Sequence, residues 1–387
     1  MLSGISDAGD NCIEYYYTDT TLAAFDAYCE KLKNNGYTLK VSNENPGVKA
    51  AGFSSSKANV YAYFVPSESS VRIIASAVGS TNFQPYPTAE SVPEFKKITD
   101  SKITQMALNY DLGNFGNCYI ITLADGSFVV MDGGGWNAEY GDDTRLFNLL
   151  KHLNKREDGK IVIAAYILSH AHWDHYRNFF NFVKNHSSQL KIEACYTNIA
   201  SDNAVYNSNN PDLGFPGCFA TMSNAVGGII PVKLHTGMKF YVRNAEFEVM
   251  YTQEDIFPDR INYFNETSTV LRMTLEGTTV MWNGDAKNWA SKGIVKRYGS
   301  YVKSDICTVA HHGYDGMTQA YYTTVAPVLL LWPTSQKNVA TLRTGSTYAV
   351  DKYLWDTIGK DNIIIAEPTQ TITLPYVKGT APVTEPY

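Results

Sequence analysis

The chain has little charge, few cysteines and no long hydrophobic segment. Its longest apolar runs, Ile161–Leu168 and Val325–Trp332, are far shorter than the roughly 18 to 20 residues that cross a bilayer. We interpret both runs as buried strands. Residues 1–11 lack the basic and apolar regions of a signal peptide, so we expect a cytoplasmic location, or an extracellular one if the chain has been trimmed.

The six cysteines are scattered, and no two of them form a C-x-x-C pair. They are typical of small buried residues rather than of disulfides or metal ligands. Charged residues make up 18% of the chain and hydrophobic residues 44%, which excludes general disorder and allows a large core. The net charge of −6 comes with no basic stripe, so the composition does not support a nucleic-acid partner, although it leaves a nucleic-acid substrate open.

Residues 1–97 form a self-contained pattern that predicts a small α+β accessory domain. A helix with an apolar face that includes Phe25 and Leu32 begins after Asp19 or Thr20, either of which can cap it. The strand-like runs around this helix are Ile13–Thr18, Tyr37–Ser42, Val60–Val65 and Val71–Ala77. A link with three prolines (Pro85, Pro87 and Pro93) then breaks regular structure and separates this unit from the rest.

Residues 98–387 alternate between strands and helices, with hairpins among them. Val162–Leu168 predicts a strand buried on both faces, a helix follows at Tyr176–Lys184, and a last helix is expected near Ser346–Ile358. The fold class is therefore mixed α/β, with two sheets covered by helices.

The strongest chemical signal follows the strand Val162–Leu168. His170, His172, Asp174 and His175 stand within six residues, and imidazole and carboxylate groups are the usual ligands of zinc and similar ions. At the end of a strand, His170 and His172 can point one way while Asp174 and His175 reach a second point. Paired metal ions in hydrolases lie about 3.5 to 4 Å apart, so the spacing suits a two-metal site.

Three further stretches carry groups of the same kind. Asp132 ends an apolar strand and precedes three glycines, and Asp285 stands between a strand and a helix, where it can either bridge two cations or cap the helix. His311 and His312 are adjacent, so on an extended chain only one of them is expected to reach a metal, and the sequence leaves open which one. The remaining histidines lie in polar stretches and are expected to be solvated: His152, His186 and His235.

The spacing H-x-H-x-D-H, with these flanking stretches, resembles the metallo-β-lactamase fold superfamily over about residues 102–335. The resemblance implies an αββα sandwich in which Asp132 orients the ligating histidines and Asp285 bridges two metals. It assigns one ion to His170 and His172, and the other to Asp174 and His175 with His311 or His312, each sharing Asp285.

One family motif is missing. The stretch where a third histidine would complete the first metal site, residues 263–272, contains none, so Asn265, Glu266 or water is expected there. An N-x-x-S pattern followed by V-L-R is similar to the hydrolase-like domains of competence-type DNA-uptake proteins, and bacterial phosphorylcholine esterases look more distantly related. The resemblance therefore suggests a bacterial protein of that branch.

The resemblance implies a metal-dependent hydrolase that cleaves a phosphodiester or related ester, in a small-molecule or polymeric substrate, with one or two zinc ions; manganese or iron are alternatives. Asp174 would orient a metal-activated water, and His311 or His312 would protonate the leaving oxygen. The residues expected to line the pocket are Asn265, Trp173, Tyr314, Trp136 and Trp282. The alternative is a catalytically degenerate metal-binding or regulatory protein. Iron redox chemistry would need a flavin-binding module, which is not evident.

Overall fold

The computed structural model describes residues 1–78, 94–135, 138–201, 231–344 and 348–387. Several predicted features lie outside these ranges: the proline-containing link, Trp136, Cys218 and the start of the predicted helix near Ser346–Ile358. The other five cysteines are buried and unpaired, as predicted.

The first 78 residues form a six-stranded antiparallel sheet with one helix, α1 (Leu22–Asn34). Its strands, in the spatial order β1-β2-β6-β5-β4-β3, are β1 (Leu2–Asp7), β2 (Cys12–Tyr17), β3 (Thr38–Asn45), β4 (Val48–Ser54), β5 (Ala58–Val65) and β6 (Ser70–Ala77). The hydroxyl of Thr21 caps α1 by accepting from the backbone N–H of Ala24 at 3.2 Å, so the cap lies just after the predicted Asp19 or Thr20. The prediction lacked β1 and β4.

The centre of this sheet is buried on both faces. Along β5, Val60, Ala62 and Phe64 pack with Phe25 and other residues of α1, because successive side chains of a strand point to opposite faces. The alternate residues, Tyr61, Tyr63 and Val65, belong to the same core as the rest of the chain. The N-terminal unit is therefore a layer between α1 and the larger region, and its predicted boundary at residues 97 and 98 stays a prediction.

The larger region contains two sheets. One has the order β13-β12-β10-β9-β8-β7-β21-β22, with β11 beside β10: β7 (Lys102–Gln105), β8 (Cys118–Thr122), β9 (Phe128–Asp132), β10 (Ile161–Leu168), β11 (Leu190–Ile192), β12 (Cys195–Thr197), β13 (Val232–Lys233), β21 (Gln370–Thr373) and β22 (Val383–Thr384). The other follows chain order: β14 (Lys239–Val242), β15 (Ala245–Tyr251), β16 (Val270–Leu275), β17 (Thr278–Trp282), β18 (Ile306–Thr308), β19 (Leu329–Trp332) and β20 (Ile363–Ile365).

These two sheets face each other and carry helices. Tyr119 of β8 and Trp282 of β17 meet edge to face, with ring centroids 5.0 Å apart, inside one continuous core. The helices are α2 (Asp142–Leu153), α3 (Trp173–His186), α4 (Asn288–Tyr298), α5 (Gln319–Val325), α6 (Gln336–Leu342) and α7 (Ala349–Ile358). α3 packs on β9 and α4 on β15, so each sheet has a helix against it. The predicted αββα class is confirmed.

The topology brings the predicted motifs to one edge. β10 runs parallel to β9 and β12, and β17 runs parallel to β18. The carboxyl ends of parallel strands lie together, so residues that follow β9, β10, β17 and β18 meet at the same end of the two sheets.

Within the described ranges, no helix is long and apolar enough to span a membrane.

Candidate metal centre

The side chains of the predicted motifs converge into two groups that could hold metal ions. His170, His172 and Asp285 form the first group, in which the candidate ligand atoms lie within 4.8 Å of one another. The second group meets the same limit and consists of Asp174, His175, Asp285 and His312. Only Asp285 belongs to both, which is the position required of a bridging carboxylate. α4 begins with Lys287, not Asp285, at its cap position, so Asp285 does not cap this helix.

The first group contains two imidazoles and the shared carboxylate, and the Asn265 amide lies next to it. His170 Nε2 lies 3.0 Å from His172 Nδ1, 3.2 Å from Asn265 Oδ1 and 3.9 Å from Asp285 Oδ2. The amide oxygen of Asn265 therefore lies beside this group, within hydrogen-bond distance of His170. Burial, together with the neighbouring imidazoles, holds the pKa of His170 well below its usual range, and a neutral imidazole is the form that binds metal.

The second group contains two carboxylates and two imidazoles. His175 Nε2 lies 3.1 Å from Asp285 Oδ1 and 3.6 Å from Asp174 Oδ2, and His312 Nε2 lies 3.1 Å from Asp174 Oδ2 and 3.4 Å from Asp285 Oδ2. His175 Nε2 and Asp285 Oδ1 are buried, and apart from their 3.1 Å approach to each other neither has a hydrogen-bond partner among the described residues. Buried polar atoms normally have partners, and a cation between these atoms would satisfy both of them.

The charges of this group also fit a cation. Burial alone would lower the pKa of His175 and of His312. The facing carboxylates, with Asp285 foremost, outweigh burial and raise the pKa of His175 well above its usual range and that of His312 to about 9. Protonated histidines thus balance a negative cluster that a divalent cation would neutralise in their place.

The structure distinguishes the two adjacent histidines. His311 and His312 have φ angles of 53° and 57°, so the backbone is left-handed and not extended as the sequence prediction assumed. His312 donates from Nδ1 to the carbonyl of Pro333 at 3.1 Å, which leaves Nε2 facing Asp174. His311 is 22% exposed and lies 4.0 Å from Asp285. Its Nε2 accepts from the Asn265 amide at 3.0 Å, so His311 stands at the rim of the centre.

Asp132 holds the ligating side chains in place. Its Oδ2 accepts from His175 Nδ1 and from the hydroxyl of Ser169, both at 2.8 Å, and its Oδ1 accepts from the Ser169 backbone at 2.7 Å. The hydrogen bond between Asp132 and His175 Nδ1 orients the imidazole so that Nε2 faces Asp285. The Ser169 hydroxyl also contacts His170 Nδ1 at 3.1 Å. Sequence analysis gave no role to Ser169, because a serine between a strand and a histidine carries no distinctive signal.

The predicted lining residues differ in their positions. Tyr314 is half-buried, with its ring 6.1 Å from that of His311, whereas Trp282 is buried and borders a small cavity behind the ligands together with Asp132 and Ser169. Trp173 lies at the start of α3, with the guanidinium of Arg177 4.1 Å from its ring. Two phenylalanines that the sequence gave no reason to select also flank the histidines: Phe115 against His312 and Phe264 against His172, each at 6.0 Å.

The other histidines lie apart from the centre. His235 is buried, 2.8 Å from Glu254 and stacked on Tyr61, and His186 stacks on Phe147 at 4.4 Å. The prediction that these two are solvated was wrong, since the apolar partners come from distant parts of the chain. His152 is 42% exposed.

No family model and no curated protein matches the chain. Solved structures do resemble it. Structures with the metallo-β-lactamase fold are among them. YhfI from Bacillus subtilis, described as a metallo-β-lactamase fold protein, is 12% identical, with a TM-score of 0.43 over 71% of this chain and 100% of its own. Zn²⁺-bound PqqB from Methylobacterium extorquens is 9% identical, with a TM-score of 0.39 over 70% of this chain and 100% of its own.

CmlA, a diiron β-hydroxylase from Streptomyces venezuelae, is 10% identical, with a TM-score of 0.42 over 72% of this chain. This chain spans only 55% of the CmlA chain. These values assign neither a substrate nor a reaction to this chain.

Proposed function

We propose that the chain is a metal-dependent hydrolase with a two-metal centre. The observation that carries the proposal is the position of Asp285, whose carboxylate is the one group common to both potential ligand sets. A carboxylate that bridges two cations lets them act together on one bond, as two-metal hydrolases do.

The residues present suit zinc, with one or two ions per chain, and manganese or iron are the alternatives. His170, His172, Asp285 and the Asn265 amide would hold one ion; Asp174, His175, His312 and Asp285 would hold the other. When bound, such ions lower the pKa of a coordinated water and polarise the oxygen of the substrate.

The chain's own residues then position the reactants. Asp132 and Ser169 fix the imidazole of His175 so that its Nε2 faces the centre. Asp174, 3.1 Å from His312, has a carboxylate oxygen available to orient the attacking water. Because His312 lies inside a ligand group, His311 at the rim is the histidine we assign to contact the leaving oxygen.

For the substrate we propose a phosphodiester or related ester, in a small or polymeric molecule. The likeness of the N-x-x-S and V-L-R patterns to the competence-type DNA-uptake branch supports this choice, and Asn265 of that pattern does reach the centre. The net charge of −6 gives no support to a nucleic-acid substrate over a smaller one.

A second candidate is a regulatory protein that binds metal without turnover. The observation that favours it is Asn265, because an amide is a weaker ligand than the histidine that it replaces. Such a protein would still bind metal at the second group, whose two carboxylates and two imidazoles are all present.

Metal-loaded protein tested against phosphodiesters, phosphomonoesters, lactones and thioesters separates these candidates. We expect metal-dependent hydrolysis of at least one phosphate ester and a loss of about 100-fold in His312→Ala. His152→Ala is the matched control, since His152 is exposed and distant from the centre. Stoichiometric metal with no turnover on any substrate would favour the regulatory protein.

A further inference from the structure

Lys287 lies where three loops of the metal centre meet. It follows Asp285 by two residues, and its ammonium group is 2.8 Å from the carboxylate of Asp315 and 5.4 Å from the ring of Tyr263. Asp315 comes shortly after His312, and Tyr263 shortly before Asn265. The lysine is therefore held between the two loops that supply the rim of the centre.

Lys287 lies on the side of the centre that His311 occupies. Asp315 and Tyr263, which contact its ammonium group, stand on the loops that carry His311 and Asn265, and His311 Nε2 lies 3.0 Å from the Asn265 amide nitrogen. The lysine side chain is only 18% exposed, so its direction is constrained, and the ring of Tyr263 supports it by a cation–π contact.

The present partner of Lys287 is easily replaced. Asp315 is 80% exposed, and ion pairs with such solvated groups contribute little free energy. An anion held at the metal centre would lie in a less solvated position than Asp315, and it would therefore compete well for the ammonium group. A lysine acts on phosphate as a compact charge that needs no fixed geometry.

We infer that Lys287 binds the anionic oxygen of the substrate and exchanges Asp315 for it, so that the substrate class is a negatively charged ester. This inference rests on the proposed hydrolase function, because the bound anion is a substrate only if the chain hydrolyses it. A phosphodiester carries its charge on the non-bridging oxygens next to the bond that breaks. A neutral lactone or thioester would leave the Lys287–Asp315 pair unused.

Calorimetric titration of metal-loaded protein with inorganic phosphate tests this assignment without any need for turnover. Lys287→Met should weaken phosphate binding about tenfold, and Asp315→Asn should tighten it about two- to threefold. Lys292→Met, an exposed lysine of the same helix, is the matched control and should leave the affinity unchanged. Metal analysis of each variant checks that the centre itself is intact.

Unchanged phosphate affinity in both Lys287→Met and Asp315→Asn would overturn the inference. If Lys287→Met loses metal, Asp315→Asn decides alone, because it removes only an exposed carboxylate. A second readout is the KM for bis(p-nitrophenyl) phosphate, which Lys287→Met should raise about tenfold while hydrolysis of p-nitrophenyl acetate stays the same. If wild-type protein hydrolyses no ester yet phosphate binding still depends on Lys287, the proposed hydrolase fails and the anion site stands.

Discussion

Arg72 connects the N-terminal sheet to the larger region, and its replacement gives a stability prediction that the structure makes quantitative. The side chain is 3% exposed. Its guanidinium donates to the carbonyls of Glu254 at 3.1 Å, Asp255 at 3.3 Å and Phe257 at 2.7 Å. The carboxyl group of Glu14 lies 3.2 Å away.

Arg72→Met keeps much of the aliphatic volume but leaves three buried carbonyls without these donors. An unsatisfied buried group costs about 1 to 3 kcal/mol, and partial relaxation reduces the sum, so we expect a loss of about 3 to 5 kcal/mol in the free energy of unfolding. That is a large part of the 5 to 15 kcal/mol that stabilises a typical domain, to order of magnitude. Urea unfolding followed by circular dichroism measures it.

Arg272→Met is the matched control. Arg272 is 16% exposed, and the nearest carboxylate oxygen, of Glu248, is 3.7 Å away, so we expect its loss to cost about 1 kcal/mol or less. A difference below about 1 kcal/mol between the two variants would refute the role given to Arg72. If the N-terminal sheet unfolded in a separate transition at lower urea concentration, that would contradict a core shared with the larger region.

Three further predictions concern single groups or ions. Burial raises the pKa of Glu14 to about 8 from an ordinary 4.5. The free energy of unfolding should therefore fall as the pH rises from about 4.5 to about 8, because the carboxyl group ionises more readily in the unfolded chain. Glu14→Gln should abolish the loss, measured as urea midpoints at several pH values. Asp132→Asn should weaken zinc binding by about 10- to 100-fold in competition with an indicator dye, because His175 loses its partner. A chelator should remove the ion at His170 and His172 first, since the other group has a carboxylate of its own, Asp174; release of both ions together would contradict this order.

The sequence was most informative where several potential metal ligands stand close together. Three histidines and an aspartate after the apolar strand Ile161–Leu168 predicted the centre, and parallel strands brought Asp132 and Asp285 to the same edge. The mixed α/β class followed from the alternation of strands and helices, and the resemblance implied the αββα arrangement.

Tertiary contacts decided what the sequence could not. The backbone of His311 and His312 is left-handed, and the indole nitrogen of Trp332 donates to the His312 carbonyl at 2.9 Å. At the following Gly313 an added Cβ would lie 2.7 Å from the same nitrogen. β4 (Val48–Ser54) escaped prediction because its alanines and glycine lack strand propensity, and its place in the sheet depends on pairing with β3 and β5. The burial of His235 likewise depends on Tyr61, which is remote in sequence.

The metal content of Asp285→Ala tests the central claim most directly. Asp285 is the only side chain common to both groups, so its loss should weaken both sites together. Elemental analysis after dialysis against dilute zinc should show both ions reduced in this variant. Asp158→Ala, which removes an exposed aspartate elsewhere, should match the wild type. Wild-type metal content in Asp285→Ala would contradict the bridging role and, with it, the two-metal centre proposed for this chain.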